Sequence, residues 1–137
     1  MTSPSSGSTL IPLLRYRDAP AAIDWLCLVL ECERRVVVPD DGGTIRHAQL
    51  VLGRGLIMLG SVRDEEPLML PPDAIGGRMT QAVSVVVADV DAVCARARAA
   101  GGRIDVEPMD ADFLGRLATF RDPEGHLWIV GNYDPWA

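Results

Sequence analysis

One pattern occurs twice in this chain and narrows the folds open to it. "RDAPAAIDWLCLVLECE" (17–33) and "ADVDAVCARARAAGG" (88–102) each follow an apolar, strand-like run, "LIPLLRY" and "AVSVVV". Each opens with an aspartate able to cap a helix and continues at helical spacing. The spacing from Asp18 to Asp89 equals that from Gly60, after "GLIML", to Gly131, after "HLWIV". Agreement at both ends, between halves of low identity, points to two copies of one supersecondary unit.

Each half therefore reads strand, helix, strand, strand, strand. The first predicts strands at about 10–17, 33–39, 44–52 and 55–60 with a helix at about 19–32. The second predicts strands at about 80–88, 103–108, 115–121 and 126–131 with a helix at about 90–100. "GRG" and "DPEG" supply the final hairpin turns, and "PDDGG" another. This organises the chain as a flexible start (1–9), a first βαβββ module (10–60), a linker or lid (61–79) and a second module (80–134), together one domain. Strand parity sorts the faces. Val83, Val85 and Val87 form an apolar face suited to pack on a helix, while Ala82, Ser84 and Val86 form the other. In the first strand Leu14 and Tyr16 oppose Ile11, Leu13 and Arg15. Both faces are too apolar for a solvated sheet. The class is α+β, with one face of a mostly antiparallel sheet on helices and the other curved into a cup.

Composition removes several chemistries. All 13 basic residues are arginines, so Schiff-base, pyridoxal-phosphate and phosphate-loop lysines are excluded, and no serine stands in a G-x-S-x-G elbow. A net charge of −6 argues against nucleic acid. No stretch is long and apolar enough for a membrane span, and "MTSPSSGST" lacks the charge and apolar run of a signal peptide. Cys27, Cys32 and Cys94, all in stretches that read as helical, lack C-x-x-C spacing and read as reduced, semi-buried thiols of a cytoplasmic protein.

With its duplicated modules, closing "FRDPEGHLWIV", and "HAQLVLGRGLIML" followed by "VADVDAVCARARAAGG", the chain resembles the vicinal oxygen chelate superfamily over residues 10–134. That is the glyoxalase/bleomycin-resistance/dioxygenase group, and the likeness is to its PhnB-like members. The resemblance implies a cup-shaped sheet of two modules, frequent dimerisation, and in the enzymes a divalent metal held by His, Gln and Glu. Carried onto this chain, the family's ligand positions are Ile11, Met58, Ala82 and Ile129. All four are apolar, so neither metal nor cofactor is expected.

The residues assigned to the cup are His47, Gln49, Arg15, Met58, Arg116, Ile129, Tyr133 and Trp136. His47 and Gln49 share the strand face opposite the apolar Ala48, Leu50 and Leu52. Counting back from the final hairpins, with two extra residues allowed for "DPEG", sets Arg116 at the pseudo-symmetric counterpart of His47, as a bidentate partner for a carboxylate or carbonyl. Tyr133 and Trp136 are aromatics that could close a cavity or meet a partner chain, and Met109 and Phe113 could rim the same cavity. His126 reads as a turn residue on the helix-facing parity of Trp128, and Trp25 and Trp128 read as core.

Three functions compete. One is a metal-free homodimer enclosing a small, partly apolar ligand, as in drug or metabolite sequestration. Another is a glyoxalase-related lyase, isomerase or dioxygenase with a non-standard site, such as His47 with a nearby acid. The last is a structural or regulatory module without a ligand. No catalytic residue is assigned.

Overall fold

A computed structural model of the chain describes residues 7–65 and 68–137. The first six residues of the expected flexible start lie outside that range. The chain divides into two compact units, Met1–Pro71 and Pro72–Ala137. Each contains one four-stranded mixed sheet and one helix of two turns or more.

The first module runs β1 (Leu13–Tyr16), α1 (Ala19–Val29), β2 (Glu33–Pro39), β3 (Ile45–Leu52) and β4 (Gly55–Ser61). Its strands lie in the order β1-β4-β3-β2, with β1 parallel to β4 and the others antiparallel. The second runs β5 (Val83–Val86), α2 (Val90–Ala99), β6 (Arg103–Asp110), β7 (Arg116–Arg121) and β8 (Leu127–Gly131). Its order, β5-β8-β7-β6, and its pairing senses repeat those of the first. The α+β class and the two βαβββ modules are thus present as expected.

The helices start where the aspartates predict. The Asp18 carboxylate accepts from the Ala21 N–H at 3.1 Å and Asp89 from the Ala92 N–H at 3.0 Å, each satisfying a donor that the first helical turn leaves unpaired. Pro20 sits in the first turn of α1, where its missing N–H costs nothing. Ala19, Ile23, Leu26 and Val29 of α1 are buried, and α1 packs on β1, β3 and β4. Tyr16, Leu50 and Leu59 complete that core. In the second module Val90, Val93 and Ala97 of α2 do the same over Phe120, Trp128 and Val130. Trp25 and Trp128 are core residues, as the apolar stripe of α1 and the parity of β8 respectively predict.

The element ends differ from the periodicity. Pro12 cannot donate to a ladder, so β1 begins at Leu13, although the Pro12 carbonyl still accepts from Met58 N–H at 2.9 Å. Helix α1 stops at Val29 rather than near 32, so Cys32 lies in the turn before β2 and not in a helix. Leu30 caps the helix and Glu31 follows at φ 60°, the left-handed conformation that ends many helices. The equivalent position after α2 is Gly101, at φ 92°. Glycine adopts this conformation without the penalty of about 1–2 kcal/mol that a Cβ incurs, offset in part by its freer unfolded chain. We expect Glu31→Gly to raise unfolding stability by about 0.5–1 kcal/mol, read as a higher urea midpoint at unchanged slope. A midpoint equal to or below that of the parent would show that Glu31 side-chain contacts outweigh the strain.

Candidate functional site

Register defines the sheet face turned away from the helix in each module. In the first, Leu13 pairs Met58, Met58 pairs Gln49, and Gln49 pairs Val36, so these four side chains form one row across all four strands. The neighbouring row holds Arg15 opposite Gly60, and His47 opposite Val38. Gly60 lies one residue beyond the Ala48–Leu59 pair, so it falls between Arg15 and His47. His47, Gln49 and Met58 are half-buried, and Leu13, Val36 and Val38 remain exposed. Alternate residues Ala48, Leu50 and Leu59 point to α1 and are fully buried.

His47 and Gln49 are joined: Gln49 Nε2 lies 3.1 Å from His47 Nε2. With the amide nitrogen donating, neutral His47 accepts at Nε2 and carries its proton on Nδ1. Arg15 reaches sideways from β1 across β4. A Cβ built on Gly60 would stand 2.8 Å from Arg15 Nη1, so the guanidinium occupies the space that the glycine leaves open. Arg15, His47, Gln49 and Met58 are thereby gathered on one face of one module.

The corresponding row of the second module is Ser84, Ile129, Thr119 and Val106. The next is Val86, Gly131, Leu117 and Met109. Ile129 thus holds the place that Met58 holds in the first module. Here the face is apolar where the first is polar: Val86 and Leu117 stand where Arg15 and His47 stand.

Arg116 departs from expectation. It has the parity of Ala118 and Phe120 and so belongs to the helix side of β7. Its guanidinium forms a bidentate pair with Asp91 on α2 (2.7 and 2.9 Å) and also reaches Asp110 at 3.2 Å. The Arg116 hydrogen bonds hold the Asp91 carboxyl below its ordinary value of 3.8. The counterpart of His47 is Leu117, because "DPEG" adds one residue to the hairpin and not two. Val51 pairs Leu56 beside a two-residue turn, whereas Arg121 pairs Leu127. Asp122 N–H still donates to the His126 carbonyl at 3.0 Å, which leaves only Pro123–Gly125 as loop. Thr119, the counterpart of Gln49, escaped the sequence reading for the same reason.

Tyr133 and Trp136 follow β8 and are exposed, Trp136 at 86%. Phe113 and Met109 are exposed in the second module as well. His126 is buried beside the turn, and the Asp122 carboxylate organises that turn. It accepts from the Glu124 and His126 N–H groups (3.1 and 3.0 Å) and from the Trp128 indole at 3.1 Å. All three cysteines are free thiols, and burial followed by the nearby Cys27 pushes Cys32 up to about 12. Such thiols are inert at neutral pH.

Comparison with known proteins places this geometry. The family model for the Glyoxalase/Bleomycin resistance protein/Dioxygenase superfamily matches residues 9–130. The chain belongs to this superfamily. It is 31% identical over 127 residues to an uncharacterized protein of Mycobacterium bovis, covering 89% of this chain and 81% of that protein. TioX from Micromonospora sp. ML1 is 35% identical with a TM-score of 0.71, over 93% of this chain and 100% of TioX. The fosfomycin resistance protein FosX from Listeria monocytogenes, solved with Mn(II) and sulfate, shares the fold at 15% identity and a TM-score of 0.67. Those alignments cover 96% of this chain and 95% of FosX.

A divalent ion does not fit the residues at the four positions that the family resemblance implies for its ligands. Met58 and Ile129, at equivalent register positions, offer a thioether and an alkyl group, and Ile11 and Ala82 offer alkyl groups only. Hard cations require oxygen donors. Among the described residues no three His, Cys, Asp or Glu side chains group together as a metal site.

Proposed function

We propose that this superfamily member is a metal-free binding protein that holds a small, partly apolar molecule on the sheet face turned away from the helix. Sequestration of a drug or metabolite fits such a role. The observation that carries the reading is the pair of rows in the first module. They combine half-exposed Leu13, Met58 and Val36 with the convergent polar groups of Arg15, His47 and Gln49. Apolar walls with a few oriented polar groups are what small-molecule sites use for affinity and orientation. The outward face of the second module carries Ile129 in the place of Met58, and Tyr133 and Trp136 follow β8 exposed. A catalytic role for His47 receives less support, because its hydrogen-bond partner is an amide and not a carboxylate that could shape a general base.

A homodimer and a cytoplasmic setting belong to the same reading. Val36, Val37 and Val38 lie exposed on the edge strand β2, an apolar edge that pairing with a second chain would cover. No helix of the described residues is long and apolar enough to cross a membrane. Light scattering at micromolar concentration is expected to give twice the chain mass, and a single monomeric species would remove the dimer.

A thermal-shift screen of small apolar and aromatic compounds tests the main reading. A ligand at about 100 times its Kd raises stability by about 2.7 kcal/mol. For a hit, His47→Ala is expected to weaken binding by roughly tenfold, the worth of one hydrogen bond to a ligand. Stoichiometric nickel, zinc, iron or manganese in protein purified without chelator would overturn the metal-free assignment.

A further inference from the structure

The two modules share a backbone but not the chemistry of their outward faces, and the difference is concentrated at three positions. Arg15, Gly60 and His47 of the first module correspond to Val86, Gly131 and Leu117 of the second. Both glycines leave a gap on β4 or β8. Only in the first module does a cation fill it, with Arg15 Nη1 lying 2.8 Å from where a Gly60 Cβ would be. The guanidinium therefore lies above β4, one strand spacing of about 4.8 Å from β3, where His47 and Gln49 stand. A ligand atom resting on that guanidinium has the fork of Arg15 beneath it and the imidazole–amide pair of the neighbouring strand at its side.

The groups nearest to a Cβ built on Gly60 are the Arg15 guanidinium and the carbonyl oxygens of Arg46 and Ile45. By register the acidic residue on the face is Glu33, opposite Val51. It lies two rows from Arg15, on the order of 13 Å along the strands. That exceeds the screening length of about 8 Å at physiological salt, so Glu33 and the net charge of −6 act weakly at Gly60 compared with a guanidinium in contact. A guanidinium has five N–H donors, so Arg15 can keep a partner within the protein and still grip a ligand oxygen. The flanking side chains, Leu13, Met58 and Val38, are apolar and suit a hydrocarbon or aromatic body.

We propose that the first-module face is a carboxylate subsite: the ligand is a small apolar acid whose carboxylate rests on the outer edge of the Arg15 guanidinium, which itself fills the space over Gly60. Arg15 holds it bidentately, and the His47–Gln49 pair supplies further donors. The assignment rests on the binding function proposed above and narrows it to one ligand class. Lysine in place of Arg15 keeps the charge but not the fork.

Isothermal titration of the full chain with 2-naphthoate and with its neutral isostere 2-naphthamide tests this. The wild type is expected to bind naphthoate at least about tenfold more tightly than naphthamide, the difference a charge-assisted hydrogen bond makes. Arg15→Met should bind the two probes alike, and its urea midpoint, read separately, should show that the variant is folded. Arg15→Lys should keep only part of the preference. Equal binding of the two probes by the wild type overturns the carboxylate subsite while leaving an apolar binding face. A preference that survives in Arg15→Met overturns the role of Arg15. Failure of both probes to bind at millimolar concentration sinks the binding function itself, and the subsite with it.

Discussion

Asp122→Ala is expected to lower unfolding stability by roughly 3–5 kcal/mol, a large part of the 5–15 kcal/mol typical of a domain. Asp122 is only 4% exposed, and its carboxylate is the acceptor for three donors. Two of these, the His126 N–H and the Trp128 indole N–H, belong to buried residues that water cannot reach. Alanine leaves both unsatisfied, at about 1–3 kcal/mol each, and removes the side-chain bond that shapes the turn. Asp122→Asn separates these contributions. Its single carbonyl oxygen can serve the backbone donors or the indole, not both, so a loss of about 1–2 kcal/mol is expected. Urea denaturation checks the series. An alanine variant within about 0.5 kcal/mol of wild type would mean that the turn rebuilds without its acceptor.

Gly60→Ala is expected to cost about 2–3 kcal/mol, whereas Gly131→Ala, at the equivalent position, should cost less than about 1 kcal/mol. A Cβ on Gly60 would approach the Arg46 carbonyl oxygen to 2.9 Å and Arg15 Nη1 to 2.8 Å. The guanidinium can swing aside. The carbonyl belongs to the β3 backbone and gives way less easily than a side chain. On Gly131 the nearest atoms are the Arg116 carbonyl oxygen at 3.4 Å and Leu117 Cβ at 3.7 Å, which is near ordinary contact. Thermal unfolding of both variants, and of Gly60→Ala combined with Arg15→Ala, resolves the cause. The double variant should recover only the smaller, side-chain share. Equal losses at Gly60 and Gly131 would show that strand flexibility, not crowding, governs both sites.

Much of the fold was legible before any coordinates. Asp18 and Asp89 announced two helices because few residue types can satisfy a helix's first free N–H groups. The face parity of Tyr16, Ala48, Leu50, Val83, Trp128 and Val130 was legible because a strand alternates its sides every residue. His47 with Gln49, and Arg15 with Leu13, were legible as face-mates for the same reason. Element ends were harder to read. Glu31 looks like a helical residue by composition, and its positive φ comes from how the chain must leave α1 to enter β2.

Arg116 marks the limit of counting. "DPEG" looks like four loop residues, yet Asp122 remains in the ladder through its bond to His126, so the loop holds three. A one-residue slip of register moves every side chain of a strand to the other face. It carried Arg116 from the open face to the helix side, where Asp91 and Asp110 take its guanidinium, and left Leu117 opposite Gly131.

The duplication, the βαβββ order, the capped helix starts and the apolar residues where the family resemblance implies metal ligands can all be read along the chain. These are local properties, set by periodicity and by side-chain chemistry within a few residues. Which arginine remains on the open face, and that Arg15 lies across Gly60, follow only once the strands are assembled. Those facts depend on neighbours brought together through space, and a side chain's partner is set by whichever strand the register delivers beside it.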